Sequence, residues 1–289
     1  MSNQIVLGLA TRQNLLSLQG INSQISTSQN HLATGLKVAS AVDDAVTFFQ
    51  SQSLINRASD LTQRKSTIDQ GISSVTTATQ AIQSAISVLQ QLQGILNSAK
   101  TQSASQRASA ATQFNTLSKQ LNNLVGDASF QGLNLVNSTA STLSLQFSIS
   151  STSTLKIHGS NLLASKLITA GTISAASHLA TNLVSGGKFS SVSNKTSKFD
   201  QAFNVLQSAI FTAQADAQSL GGNVTFLQTR LEFTSQYIST LQGGSDKLVV
   251  ADVNQESTNL VTLQTRQNLA IQSLSIATQS ESAVLRLFR

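Results

Sequence analysis

The chain has 289 residues, a formal net charge of +6, no cysteine and no proline, and only 10 % of it is charged. Absent cysteine excludes disulfides, thiolate metal sites and cysteine nucleophiles, while Lys and Arg scattered without interleaved aromatics give no basic stripe for nucleic acid. Ordinary domains use ~5 % proline and ~25 % charge, so the sequence favours unbroken helices whose Ser, Thr, Gln and Asn surfaces suit assembly over a free monomer.

The first residues, MSNQIVLGLATRQNLL, lack the basic segment and continuous apolar run of a cleaved export signal. Nowhere are there ~20 consecutive apolar residues, so no membrane span is expected. Leu18, Ile21, Ile25 and Leu32 share one face of a first helix. Gly35 stands where a helix ending near Thr34 wants a left-handed residue. Ser40 followed by Asp43 fits a capping box, Ser at the N-cap and a carboxylate three residues on. Asp43 and Asp44 are then expected in the first turn of the next helix, facing the positive end of its macrodipole. A catalytic carboxylate pair would need a pocket and a proton partner; the local sequence supplies neither, so the pair reads as helix punctuation.

From Leu61 a heptad runs through Lys65, Ile68, Ile72, Val75, Thr79, Ile82, Ile86, Leu89, Gln93 and Leu96. It predicts a long helix over about 46–100, wound against partners. A shorter helix is expected over about 104–126, with Ala110, Phe114, Leu117, Leu121 and Leu124 on one face and Gly126 at its end. The period then falls to two. LSLQFSIS (143–150) alternates Leu143, Leu145, Phe147 and Ile149 with polar residues, and TLKIHG (154–159) reads as its hairpin partner. Residues 160–197 are rich in Ser, Thr, Gly and Asn and read as an exposed segment. A second heptad passes Phe199, Phe203, Leu206, Ile210, Ala213, Ala217, Leu220, Val224, Leu227, Leu231, Thr234, Ile238 and Leu241. The last helix carries Leu260, Leu263, Ala270, Leu274, Ala277, Val284 and Phe288 on one face. Striped chain ends are unusual, because ends are commonly the least ordered part of a domain; these need each other or neighbouring copies to bury them. The histidines (His31, His158, His178) are far apart and without ligand spacing, so neither metal nor cofactor is expected. Sequons at Asn137, Asn194 and Asn223 are explained by chance in so polar a chain.

HLATGLKVASAVDDAVTFFQSQSLINRASDLTQ resembles the amino-terminal segment of bacterial flagellins, through Leu32, Thr34, Gly35, Leu36, Lys37, Ser40, Ala41, Asp43, Asp44 and Ala45. Ile68, Asp69, Gly71 and Ile72 are similar to a second family motif, and ASFQGLNLV (128–136) to the turn into its first strand. The tail is similar too, at Asp252, Glu256, Asn259, Leu260, Gln264, Ala270, Val284, Leu285, Leu287 and Arg289. The resemblance covers roughly 1–159 and 199–289.

It implies a mainly α fold, a long antiparallel coiled-coil rod made by both chain ends, with a small β-hairpin region and a short surface segment in the middle. Residues 1–45 and 250–289 would form the inner core of a filament, 46–159 and 198–249 the surrounding rod domain, and 160–197 a small exposed segment. The expected function is a structural subunit, not an enzyme, that self-polymerises into an extracellular bacterial flagellar filament for swimming. Implied partners are further copies of the chain, the type III export apparatus, a chaperone and a cap, with no nucleic acid and no membrane. Leu18, Ile21, Ile25, Leu32, Leu260, Leu263, Leu274, Val284 and Phe288 would pack between subunits. Many flagellins carry two arginines and a glutamate where this chain has Leu89-Gln90-Gln91-Leu92-Gln93-Gly94, so weak or absent recognition by the innate immune receptor for flagellin is expected. The competing readings are a hook–filament junction protein of the same superfamily and a free-standing coiled-coil stalk.

Overall fold

A computed structural model describes residues 9–148, 152–164, 167 and 195–287. The elements are α1 (Leu9–Thr34), α2 (Ala45–Ala99), α3 (Ala104–Asp127), β1 (Thr142–Gln146), β2 (Thr154–His158), α4 (Lys195–Val249) and α5 (Val253–Leu287). The described residues are thus mainly helical with one antiparallel hairpin. Ile149, His178, Asn194, Phe288 and most of 160–197 lie outside the described residues. Packing divides the chain into two compact units, one of residues 1–58 and 239–289, the other of 59–238. The boundaries expected at 45 and 250 fall at turns, whereas this division falls inside α2 and α4.

The 59–238 unit holds the large apolar core. From α2, Ile68, Val75, Ile82, Leu89 and Leu96 are buried, as the heptad predicts. The heptad's other row, Lys65, Ile72, Thr79, Ile86 and Gln93, is only half-buried. The second buried row is Gly71, Ala78, Ala85, Leu92 and Ala99, mostly small residues that let neighbouring elements approach. A Cβ on Gly71 would lie 2.6 Å from Leu145 Cδ1, so the hairpin occupies the space that this glycine leaves. On α3 the buried face is Arg107, Ala110, Ala111, Phe114, Ser118, Leu121 and Val125, turned from the expected stripe, with Leu117 and Leu124 at its margin. On α4, Phe203 is exposed and Val205 and Ala209 are buried instead, while Leu206, Ile210, Ala213, Leu220 and Leu227 lie inside as expected. Burying each large apolar side chain contributes roughly 1.5–3 kcal/mol.

The connections of this unit are held by side chains at helix ends. Ser103 N–H donates to Gln106 Oε1 at 3.0 Å, opening α3 with a capping box. At its other end Asn134, itself buried, donates from Nδ2 to the carbonyls of Val125 (2.7 Å) and Gly126 (3.1 Å). Its Oδ1 accepts the N–H groups of Val136 (2.9 Å) and Asn137 (3.1 Å). Those two carbonyls are among the orphans that every helix C-terminus leaves. Between them the chain reverses at Gln131 (φ 50°) and Gly132 (φ 82°), with Phe130 and Leu133 exchanging backbone bonds of 2.9 and 3.0 Å, the geometry of a turn with two left-handed central residues.

In the hairpin Thr142 pairs with His158 and Gln146 with Thr154. Leu145 and Ile157 face the core. Phe147 is also buried but lies just past β1. Its ring meets Phe226 edge-on at 5.9 Å and lies 4.7 Å from the Arg230 guanidinium, which also donates to Ser153 Oγ at 3.2 Å. Cation–π contact and hydrogen bond together fasten the hairpin tip to α4.

The 1–58 and 239–289 unit is built differently. Its buried apolar side chains are few and mostly small: Val38, Ala58, Leu241, Val249 and Ala251. Ser51 and Ser245 hydroxyls meet at 2.8 Å in a buried pair. Beyond these, α1 pairs with α5. Asn22 bonds Gln267 and Ser28 bonds Glu256, so the two run antiparallel, with the start of α1 beside the last turns of α5.

Candidate assembly faces and the junction that frames them

Two turns meet where α1 hands over to α2 and α4 to α5. Gly35, at φ +72°, donates to His31 O at 2.8 Å and ends α1 as its sequence position predicts. The turn that follows is stitched to the other. Ala251 N–H donates to Gly35 O (2.9 Å), and Lys37 and Val38 N–H donate to Val249 O (2.8 and 3.4 Å).

The aspartate pair sits in this junction. Asp43 Oδ2 accepts from Ala39 N–H (3.0 Å), Ser40 N–H (2.9 Å) and Ser40 Oγ (3.1 Å). Asp44 Oδ1 accepts Thr47 N–H at 3.1 Å and its Oδ2 the Thr47 hydroxyl at 2.7 Å. Helix α2 begins at Ala45, so the expectation that Ser40 caps it and that both aspartates lie in its first turn is corrected. Asp44 takes the N-cap position, and Asp43 closes a separate turn with Ser40. A box-like Ser-x-x-Asp spacing does not by itself say which turn it closes. The Ser40 N–H foremost, then the Ala39 N–H, holds the Asp43 carboxyl below its ordinary range; the Thr47 hydroxyl and N–H do the same for Asp44. Donors fixed on a carboxylate favour its charged form, which suits a cap and opposes general-acid chemistry. Helix α5 opens alike, with Asp252 Oδ1 accepting Asn254 and Gln255 N–H at 2.9 and 3.2 Å. The spacing Asp252-x-x-Gln255 carries the capping-box pattern that marks it in the sequence.

Leu18, Ile21, Ile25 and Leu32 on α1 and Leu260, Leu263 and Leu274 on α5 are all half-buried. They line the seam between α1 and α5 within one chain. Val284 and Phe288 fall where side chains are not described. None of the apolar side chains described on α1 or α5 is fully buried. The outer faces hold apolar residues that the stripe did not include: Leu15 and Leu16 on α1, and Val253, Val261, Leu269, Ile271 and Ile276 on α5. Leu16 is 67 % exposed and Ile276 65 %. Val42, in the turn before α2, and Val46 and Phe49, in its first turns, are exposed too.

A polar cluster interrupts the seam near the junction. Ser28, buried, donates to Glu256 Oε2 at 2.8 Å, and His31 Nδ1 lies 2.9 Å from Glu256 Oε1. The imidazole first, then the hydroxyl, holds the Glu256 carboxyl below its usual range. In the other unit, Leu89 is in the core, Gln91 and Gly94 are exposed, and Gln93 Nε2 donates to Gln207 Oε1 at 2.9 Å. Among the described residues no group of His, Asp and Glu is arranged to hold a metal, and no helix is long and apolar enough to cross a membrane.

Residues 5–141 match the family described as the bacterial flagellin N-terminal helical region. A flagellin of Brucella melitensis is 28 % identical over 169 residues, 58 % of this chain and 57 % of that one. Flagellin FljM of Caulobacter vibrioides is 44 % identical over 84 residues, 29 % of this chain and 31 % of the relative. Flagellin A of Rhizobium meliloti is 39 % identical over 92 residues, covering 30 % and 23 %. The chain therefore spans from about a quarter to just over half the length of these relatives. Among solved structures, a Vibrio parahaemolyticus protein described as flagellar hook-associated superposes with a TM-score of 0.60 at 13 % identity. That match covers 72 % of this chain and all of the other. At that identity the likeness is one of fold.

Proposed function

We propose that this chain, whose residues 5–141 match the bacterial flagellin N-terminal helical family, is a subunit that polymerises into the flagellar filament. The observation that carries the reading is the pair α1–α5. Among its described residues it buries no large apolar side chain completely and yet presents Leu16, Val261, Leu269, Ile271 and Ile276 outward. Exposed apolar patches of this kind mark interaction sites, and at ~25 cal/mol per Å² their burial between copies would drive assembly. The half-buried seam residues Leu18, Ile21, Ile25, Leu32, Leu260, Leu263 and Leu274 would complete their burial in the same step. On this reading the partners are further copies of the chain and, during export, the type III apparatus, a chaperone and the cap. Its place of work is the extracellular flagellum.

Negative-stain electron microscopy of the full chain beside a version lacking 250–289 tests this. Long filaments from the first and none from the second support it. A full chain that stays monomeric at high concentration and salt moves the hook–filament junction reading ahead, for which the shared fold is already suitable. A stable isolated trimer favours the stalk.

Exposed Gln91 and Gly94 and the tethered Gln93 offer no charge to a receptor that reads arginines and a glutamate at this segment. Truncating interface hot spots typically costs ≥2 kcal/mol, so a cell reporter for the flagellin receptor should respond weakly; a response equal to that of an arginine-bearing flagellin contradicts it.

A further inference from the structure

We propose that Ser28, His31 and Glu256 form a polar clasp that sets the register in which α1 pairs with α5. The apolar seam cannot do this by itself. Its members recur in steps of three, four and seven along both helices, so sliding one helix by a heptad again sets apolar residues against apolar residues. With none of them fully buried, shape complementarity adds little discrimination.

The clasp is not degenerate in this way. Both Glu256 oxygens are engaged, one by the Ser28 hydroxyl at 2.8 Å and one by His31 Nδ1 at 2.9 Å. A slip of seven residues would set Leu263 where Glu256 now stands. The buried Ser28 hydroxyl would then lack its acceptor, and the carboxylate would lose both donors. Farther along, Gln267 Nε2 donates to Asn22 Oδ1 at 2.6 Å. The same slip replaces Gln267 with Leu274, so both polar contacts agree on one alignment. A single polar position in an apolar seam is a well-attested register device, because an unmade hydrogen bond costs more than a made one contributes. The clasp lies within one chain.

The chain has no cysteine, which makes disulfide trapping selective. In the full-length protein, Asn22→Cys with Gln267→Cys reports the observed register, and Asn22→Cys with Leu274→Cys reports a slip of one heptad. With the clasp intact, the first pair should cross-link at least about tenfold faster, the ratio set by hydrogen bonds to a charged group. Adding Glu256→Leu, which extends the apolar seam and keeps a good helix former, should bring the two rates to within about threefold. His31→Glu should do likewise, and the further change Glu256→Lys should restore the preference, a rescue that general damage to the helix would not show. Circular dichroism checks that helicity is kept. An unchanged preference in Glu256→Leu would overturn the proposal and leave the stitch between Gly35 and Ala251 as the sole determinant of register. Failure of the 22–267 pair to cross-link in the unaltered background would overturn it as well.

Discussion

The two units use the same helical vocabulary for opposite ends. In the 59–238 unit each long helix finds partners for its apolar face, and Ile68, Ile82, Leu89, Leu121 and Leu227 are completely buried. In the α1–α5 pair the stripes are as regular, yet two helices alone can cover only one side of each other. What differs is the number of neighbours. A stripe specifies that a surface must be buried; it does not specify whether the same chain supplies the cover.

The sharpest way to break this contrast is one charge placed in each unit. Leu227→Asp, in the core of the larger unit, should cost about 4 kcal/mol or more and abolish the main thermal transition. Leu263→Asp, in the half-buried seam, should leave that transition within a few degrees of the parent while preventing filaments. Equal thermal losses from both would show that the units share one core. Next in size, Asn134→Ala strands two helix carbonyls and two amides, and a loss of about 2–4 kcal/mol is expected by chemical denaturation; a loss below that of an ordinary surface substitution would mean that water replaces the side chain. Gly71→Ala pushes a methyl against Leu145 and should cost about 1–2 kcal/mol. Gly94→Ala, with open space around it, should instead stabilise by up to ~1 kcal/mol. Opposite signs in melting temperature check this pair.

The last test is pH. Asp43, Asp44 and Glu256 all have carboxyls held below their ordinary range. Their folded pKa values lie under the unfolded ones, so their contribution is fully present above the ordinary carboxylate range and is lost as pH falls through the lowered values. Limited proteolysis should therefore find the chain ends opening in acid, below pH ~4, before the 59–238 unit yields; simultaneous cleavage of both units would contradict the division.

Much of the architecture was legible in the sequence because heptads of large apolar residues are an unambiguous signal. The row Ile68, Val75, Ile82, Leu89 and Leu96 was readable for that reason. The companion row on α2 was not, since Gly71, Ala78, Ala85 and Ala99 contribute by being small. The buried face of α3 is turned from its apolar stripe because it includes Arg107 and Ser118, polar residues that no apolar count includes. Asp43 and Asp44 were readable as punctuation, although the helix starts one residue beyond them. The role of His31 was not legible: by spacing alone it was a chance histidine, and its partner Glu256 is more than two hundred residues away. Asn134 left no periodic trace either, since its four bonds are set by where the chain turns after α3.

The stitch between the turns also has a mechanical side. Because α1 and α5 are antiparallel, drawing the start of α1 away from the end of α5 would peel the seam one contact at a time. The backbone bonds joining Gly35 to Ala251 and Lys37 to Val249 lie at the far end and would be reached last. Sliding one helix along the other instead strains those bonds together with the Ser28–Glu256 contact. Such a pair is weak against peeling and stiff against shear.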